Sequence, residues 1–386
     1  MLVTTTVCFA VLCLRLYLER RSVLRNAARI PVRVAVTGTR GKSTVTRMIA
    51  AALREAGFSV LAKTTGSRAV IIRPDGREEE IARRGRPSIL EQKGILREAA
   101  GLGVRAAVVE LMSIRPEYLA VESGRILRPQ YLVITNVRLD HREEMGQTKP
   151  EIARSLASAI RSGMTVFLPE GERHPELERA AERAGARIVL VEYPKDGSLF
   201  DEDKRLAEAV ASSLGVSPAA ALRGIAAAAP DFGSLKAWQA ELGRSQATWT
   251  LVSAFAANEP ESSRLILAHL RGKHIPDGRP LIGLLNFRAD RGDRTRQWLE
   301  AHREGFFSGF RSLYGTGAHV HSLRIRNKTR RPPRLIPIPD RLPSSVMEKI
   351  AAAENGGGVV IGLGNIGGMG EALVEYWQKI GRPYAL

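Results

Sequence analysis

From Pro31 onward, short apolar runs alternate with stretches whose apolar residues recur every three or four positions. Val32 to Thr37, Ala106 to Glu110, Tyr131 to Asn136, Thr165 to Leu168 and Arg187 to Val191 read as strands buried on both faces, since a strand with one wet face would alternate. After the first strand, Val45, Met48, Ile49, Ala52, Leu53 and Ala56 fall at helical spacing, and Gly57 is a natural stop. Helical pattern also covers Glu151 to Arg161 and Leu206 to Leu214. Strands alternating with helices imply a mostly parallel, doubly wound α/β sheet. The pattern breaks between Ala227 and Lys236, at Pro230 and Gly233. A second α/β unit is expected from Thr248, with strands at Leu251 to Phe255, Pro280 to Asn286 and Gly358 to Gly362. The boundary is placed near Gly243, giving domains of 30–243 and 244–386. No internal repeat or coiled coil is present, and Arg324 to Pro333 reads as a basic connecting loop.

Residues 1–29 form a separate segment. Leu2 to Leu18 is mostly apolar, interrupted by Arg15 and followed by Glu19, Arg20, Arg21, Arg25 and Arg29. A spanning helix needs about 20 apolar residues, and Arg15 near its end can snorkel toward headgroups. A secretory signal would carry its charge before the apolar run. Here the charge follows, so the expectation is a cell-membrane anchor with the basic end, and the rest of the chain, on the cytoplasmic face. The competing reading is a helix packed on the protein's own body. Cys8 and Cys13 both lie in this segment, so no disulfide framework or thiolate metal site can be built, which suits a reducing compartment. The 58 Lys+Arg against 40 Asp+Glu give a net charge of +18. Such a charge favours nucleic acid, an anionic membrane, nucleotides or acidic substrates. An arginine-rich coat on solvated faces gives the same sum, so charge alone does not choose.

The stretch Thr37-Gly38-Thr39-Arg40-Gly41-Lys42-Ser43-Thr44 supplies candidate chemistry. A strand, a glycine-bearing turn and a helix N-terminus make an anion site, in which Lys42 reaches terminal phosphates and the Ser43 hydroxyl faces Mg²⁺. The strict pattern needs a glycine where Val36 stands, so this is a variant loop. Glu110 ends a strand at the carboxyl edge, where open α/β sheets bind ligands, and can hold a metal directly or through water. His141, after Asp140, falls on the same edge. Arg288, Asp290, Arg291, Asp293 and Arg294 form a dense charge cluster. Arginine forks suit carboxylates, so Arg288 and Arg291 are assigned to substrate or phosphate, with a surface ion-pair cluster as the alternative.

The loop, Glu110 and Ile134-Thr135-Asn136-Val137-Arg138-Leu139-Asp140-His141 together resemble the central domain of the Mur ligase superfamily. Within it the chain is most similar to the PgsB/CapB branch, the ligases of poly-γ-glutamate synthesis. That likeness includes the apolar N-terminus, Lys63-Thr64-Thr65-Gly66, Glu91-Gln92-Lys93, Phe255-Ala256-Ala257-Asn258, Asn286 to Arg291 and Gly362-Leu363-Gly364-Asn365-Ile366. The resemblance implies a P-loop ATPase domain followed by a smaller, Rossmann-like α/β domain. It implies an ADP-forming ligase that uses ATP with one or two Mg²⁺ ions, or Mn²⁺, and passes through an acyl-phosphate. Residues 37–44 would bind ATP, with Asn258 near the base and ribose. Ser43, Glu110 and His141 would hold metal, and Lys42, Glu110, His141, Arg288, Asp290 and Arg291 would form the catalytic set. Glutamate and the growing polymer would be substrates, and membrane subunits of a synthesis and export complex the partners. Three departures stand out. Phe255 occupies the position of a ribose-binding Asp, Glu151 to Ser162 holds no lysine of the kind many Mur ligases carbamylate, and no UDP-sugar-binding domain precedes the loop. The competing functions are a folylpolyglutamate-type ligase on a small acceptor and a basic P-loop ATPase acting on nucleic acid. The 5% aromatic content, which leaves few stacking residues, weighs against the second, and nucleic acid is not expected as a partner.

Overall fold

The computed structural model describes residues 2–83, 85–193, 201–243, 246–275, 278–318, 320 and 331–386. Most of the basic loop expected at Arg324 to Pro333 lies outside the described residues. The chain divides into two compact units, 1–231 and 232–386.

The first unit runs α1 (Leu2–Ala28), β1 (Val32–Thr37), α2 (Lys42–Glu55), β2 (Val60–Thr64), β3 (Val70–Ile72), β4 (Glu78–Glu80), α3 (Glu91–Gly101), β5 (Ala106–Glu110) and α4 (Pro116–Val121), the last extended by a π-helical stretch, Glu122–Leu127. It continues with β6 (Tyr131–Ile134), α5 (Arg142–Met145), α6 (Lys149–Ala157), β7 (Thr165–Pro169), α7 (Pro175–Ala184), β8 (Arg187–Val191), α8 (Asp201–Ser213) and α9 (Pro218–Ala226). The sheet order is β4-β3-β2-β5-β1-β6-β7-β8, with every pairing parallel except β2–β3 and β3–β4. Side chains on β1 alternate between two cores. Val34 and Val36 pack with Val45, Ile49, Leu53, Leu206 and Ile225 from α2, α8 and α9. Ala35 packs on the other face with residues of α3, α4, α6 and α7. Chain leaving β1 therefore turns to one face, while chain leaving the neighbouring β5 and β6 turns to the other. That divergence opens a crevice at the carboxyl end of β1, the place where doubly wound sheets take ligands.

The apolar segment is one continuous helix. Its most apolar 18 residues have a mean hydropathy of 1.7 and none is buried, so it is long and apolar enough to cross a membrane. Its C-terminal end is fixed to the body: Val23 and Ala27 enter the core, Lys93 of α3 pairs with Glu19, and Arg33 of β1 donates to the carbonyls of Ala27 and Ile30. This last contact adds a charged donor at the C-terminal end of α1, where backbone carbonyls face outward.

The second unit runs β9 (Lys236–Leu242), β10 (Ala247–Ser253), α10 (Pro260–Lys273), β11 (Leu281–Phe287), α11 (Gly292–Arg303), β12 (Ser312–Gly317), β13 (Leu335–Pro337), α12 (Pro343–Ala353), β14 (Gly358–Gly364), α13 (Met369–Ile380) and β15 (Arg382–Tyr384). Its sheet order is β13-β12-β11-β14-β10-β9-β15, with β10 to β14 parallel and β9 and β15 antiparallel at one edge. The core gathers Trp238, Trp249, Leu251, Phe255, Leu284, Val360 and Trp377.

Three expectations need correction. The boundary expected near Gly243 lies earlier, at Asp231–Phe232, because β9 pairs with β10 and Gly243 lies between these two strands of the second unit. Arg187–Val191 is an edge strand with only Val191 buried, not a strand covered on both faces. The third strand ends at Ile134, because Thr135 and Asn136 turn their hydrogen bonds onto the phosphate loop.

Candidate active site

The loop between β1 and α2 is shaped by two glycines. Gly38 has φ +126°, and a Cβ there would lie 2.1 Å from Thr135 Oγ1. Gly41 has φ +78° and precedes α2 without any side-chain cap on that helix. The first N–H groups of a helix that no N-cap side chain takes up are a place that attracts anions. The rest of the loop is clamped by β6. Thr39 Oγ1 donates to Asn136 Oδ1 at 2.7 Å, Arg40 N donates to the same oxygen at 3.0 Å, and Asn136 Nδ2 donates to Arg40 O at 3.2 Å. Thr135 Oγ1 donates to Arg40 O and Thr37 O. Lys42 Nζ folds back to the carbonyls of Gly38 and Thr39, at 2.9 and 3.4 Å.

Two predicted residues meet here. Ser43 Oγ donates to Glu110 Oε2 at 2.7 Å, and Thr65 N donates to the same oxygen at 2.6 Å. Both side chains are buried, Glu110 at the end of β5 and Ser43 in the first turn of α2, the helix that follows the adjacent parallel strand β1. A hydroxyl beside a carboxylate is an oxygen donor pair suited to a hard cation that keeps waters and phosphate oxygens in its remaining positions. Among the described residues no cluster of three or more His, Cys, Asp or Glu could enclose a metal. The residues therefore fit a magnesium-type ion shared with a nucleotide, not a closed protein cage.

His141 has φ +51° and is set against Asp140, with its Nε2 3.5 Å from Asp140 Oδ2. Asp140 is itself buried and pairs with Arg40 at 3.1 Å. Sequence reading paired His141 with a metal; what the structure shows is Asp140, beside it, paired with the loop's Arg40. It also missed Asp203. That carboxylate, on α8, would be 2.7 Å from a Cβ on Gly41. Burial, with repulsion from Glu202, pushes Asp203 up to about 7; burial, reinforced by Glu172, pushes Glu202 up to about 7 as well. Nothing in the sequence around residues 201–203 marks them as neighbours of the loop. Thr135 and Asn136 did carry a signal, as two polar residues closing an apolar strand.

The remaining candidates belong to the second unit. Arg288 forms a two-bond fork with Asp290, at 2.9 and 2.8 Å, which holds the Asp290 carboxyl below the usual range. The same guanidinium lies against Gly367, where a Cβ would be 2.4 Å from Nη1, just before α13. Arg291 directly precedes α11. Arg294, of the same charge cluster in sequence, is buried and donates to Asn365 Oδ1 at 3.4 Å. Asn258 lends its carbonyl to Trp298 Nε1 at 3.0 Å. Phe255 stacks on Trp377 at 5.6 Å and fills the space above Gly362, so it is a core residue.

A variant phosphate loop on a doubly wound sheet, a hydroxyl–carboxylate pair beside it and a second parallel unit define a Mur-type ligase. The Mur ligase middle domain matches residues 36–204, and the poly-gamma-glutamate synthase CapB C-terminal domain matches residues 240–380. The chain is 32% identical over 292 residues to PGA synthase CapB of Bacillus subtilis (strain 168), covering 73% of this chain and 74% of that protein. It is 31% identical over 291 residues to the capsule biosynthesis protein CapB of Bacillus anthracis, covering 72% of this chain and 62% of that one. Among solved structures, Escherichia coli FolC in complex with ADP superposes with a TM-score of 0.64 at 17% identity, over 94% of both chains. The Yersinia pestis folylpolyglutamate synthase/dihydrofolate synthase complexed with AMPPNP and Mn ion gives 0.66 at 16%, over 93% and 92%. At such identities the likeness establishes the fold. The chain belongs to the CapB family of poly-γ-glutamate synthases.

Proposed function

We propose that this protein uses ATP to join glutamate units through γ-amide bonds, building poly-γ-glutamate on the cytoplasmic face of a membrane. The observation that carries the reading is the Ser43–Glu110 pair beside an uncapped helix start, at the crevice where the connections leaving neighbouring strands diverge to opposite faces. Ser43 Oγ and Glu110 would hold Mg²⁺, or Mn²⁺, which neutralises phosphate charge when bound. Lys42 would exchange the Gly38 and Thr39 carbonyls for phosphate oxygens of ATP, whose negative charge it matches better. The γ-carboxylate of a glutamate unit attacks the terminal phosphorus; an O–P bond forms and ADP leaves. The amine of the next unit then attacks the acyl carbon, and phosphate leaves with the bonding pair as the amide forms. The protein supplies position and electrostatics, so no nucleophilic side chain is required.

His141 would stand beside the transferring group, and Asn258 beside the nucleotide. Arg288 and Arg291 would hold substrate carboxylates, with Asp290 presenting the Arg288 fork. The apolar α1 is the anchor, its basic end on the cytoplasmic side. Membrane subunits of a synthesis and export assembly are the partners expected at that location.

The test uses the full chain in nanodiscs with ATP, Mg²⁺ and glutamate labelled with ¹⁸O in the γ-carboxylate. The expected result is ADP together with phosphate carrying one ¹⁸O. AMP with pyrophosphate, or unlabelled phosphate, overturns the mechanism. Product length separates a homopolymer from the few additions that a folylpolyglutamate-type ligase would make.

A further inference from the structure

Glu110 must point at Ser43 for the site to work, and β5 ends at that residue. The backbone there is held by side chains that no sequence reading assigned a role. Gln92 Nε2, from α3, donates to Glu110 O at 3.2 Å and to Glu122 Oε1 at 2.6 Å. The Glu122 carboxylate also accepts from Met112 N and Ser113 N, each at 3.0 Å, and from Ser113 Oγ at 2.6 Å. Gln92 Oε1 in turn accepts from Lys63 Nζ at 3.2 Å, and Lys63 donates as well to Glu91 Oε2 at 3.2 Å. Lys63, Gln92 and Glu122 are each 0% exposed. Lys63 sits on β2 directly beside β5, paired with Val109, and two residues later Thr65 N donates to the Glu110 carboxylate.

This network is an expensive way to fill a core. Buried charges cost several kcal/mol each in desolvation, and well-packed apolar residues of similar volume often match them in stability. What apolar residues cannot do is fix three consecutive points of the chain at and after Glu110. The carbonyl of Glu110 and the amides of Met112 and Ser113 each have a directional partner here.

We infer that Gln92 and Glu122 are positioning residues for Glu110, with Lys63 fixing the orientation of the Gln92 amide. They hold the end of β5 so that the Glu110 carboxylate faces Ser43 and the divalent cation. The inference rests on the reading that Glu110 holds that cation. Partners behind a metal ligand typically tune metal affinity by 10–100-fold.

The experiment measures Mn²⁺ binding by electron paramagnetic resonance, on full-length protein in detergent loaded with a non-hydrolysable ATP analogue. Gln92→Met keeps the length and removes both polar ends. It should weaken Mn²⁺ binding by roughly tenfold. Ser113→Ala, a smaller change that removes one bond to Glu122, should weaken it by about threefold and covers the case in which Gln92→Met does not fold. Leu96→Ala, a core truncation on the same helix, supplies the comparison at a matched or greater loss of melting temperature and should leave Mn²⁺ affinity unchanged. Gln92→Met or Ser113→Ala with the parent's affinity overturns the proposal, and so does an equal shift from Leu96→Ala. Glu110→Gln tells the two readings apart. If it leaves Mn²⁺ affinity intact, the metal reading itself fails; if it abolishes binding while Gln92→Met and Ser113→Ala do not change it, only the positioning role fails.

Discussion

The clamp from β6 onto the phosphate loop makes a quantitative prediction for Asn136→Ala. Asn136 is buried and makes three bonds to the loop: two into Oδ1, from Thr39 Oγ1 and Arg40 N, and one from Nδ2 to Arg40 O. At about 1 kcal/mol net for each, the loss is about 3 kcal/mol. For a unit of this size that lowers the melting temperature by about 6–12 °C. The same loss bears on nucleotide binding, because a loop no longer fixed by Asn136 must be ordered by the ligand. If the whole 3 kcal/mol falls on binding, ADP affinity drops by about 100-fold, and if half does, by about tenfold. The assay is calorimetric titration with ADP and Mg²⁺ at 15 °C, well below the transition, beside a thermal melt. Asn136→Asp sharpens the result. It keeps both acceptor bonds but sets a carboxylate oxygen where Nδ2 donated to Arg40 O, so it should recover only part of the melting temperature, and its negative charge beside the phosphates should keep ADP binding weak. If Asn136→Ala lowers the melting temperature while its ADP affinity stays within about twofold of the parent, the clamp serves the fold alone and the argument is wrong.

Other predictions follow from single contacts. Gly38→Ala combines φ +126° with a Cβ 2.1 Å from Thr135 Oγ1, and should cost about 3 kcal/mol or more; Gly57→Ala, at φ +83° with open space around it, should cost about 1 kcal/mol, both read from urea midpoints. Glu202 and Asp203 are pushed up to about 7, whereas the unfolded chain releases these protons near pH 4, so the folded state binds more protons between about pH 4 and 7 and loses stability as pH rises through that window. Glu202→Gln should therefore raise the melting temperature at pH 8 by about 2–4 °C and leave it unchanged at pH 4, where an equal gain at both values would exclude the titration as cause. Removing residues 2–18 should move the protein from membranes to the soluble fraction with ADP affinity within about twofold, because Val23, Ala27 and the Arg33 contacts all remain.

The parts of the fold legible in the sequence are those where burial is uniform. β5 follows from an apolar run, β1 from one broken only by Arg33 near its start, α2 from helical spacing, and the loop between β1 and α2 from its glycines. β2 escaped because Lys63 interrupts it, and a lysine in a core strand contradicts the pattern unless its partners on α3 are known. The β3–β4 hairpin escaped for another reason: Glu78–Glu80 lies on the surface and carries no alternation, and it is tied down by ion pairs of Arg47 with Glu78 and Arg73 with Glu79. β9 does alternate, with Trp238 and Ala240 inward and Gln239 outward, but Pro230 and Gly233 just before it favoured a linker.

Failures of the pattern also mark the chemistry. Lys63, Glu110, Asn136 and Asn286 are polar residues in or at the ends of strands that are otherwise apolar, and all four are buried. Each is kept there by directional bonds: Lys63 to Gln92, Glu110 to Ser43 and Thr65, Asn136 to the loop, and Asn286 to the carbonyls of Asn365 and Gly367. Sequence-level rules are expected to break where a fold must hold a site in shape. In this chain the break at Glu110 is visible from one position, because a carboxylate at a strand's carboxyl edge is informative by itself. The breaks at Lys63 and Asn136 become informative only when the partner is known, and those partners lie 29 and 97 positions away. Legibility of a site residue therefore depends less on its own identity than on whether its partner is near in sequence or is the ligand.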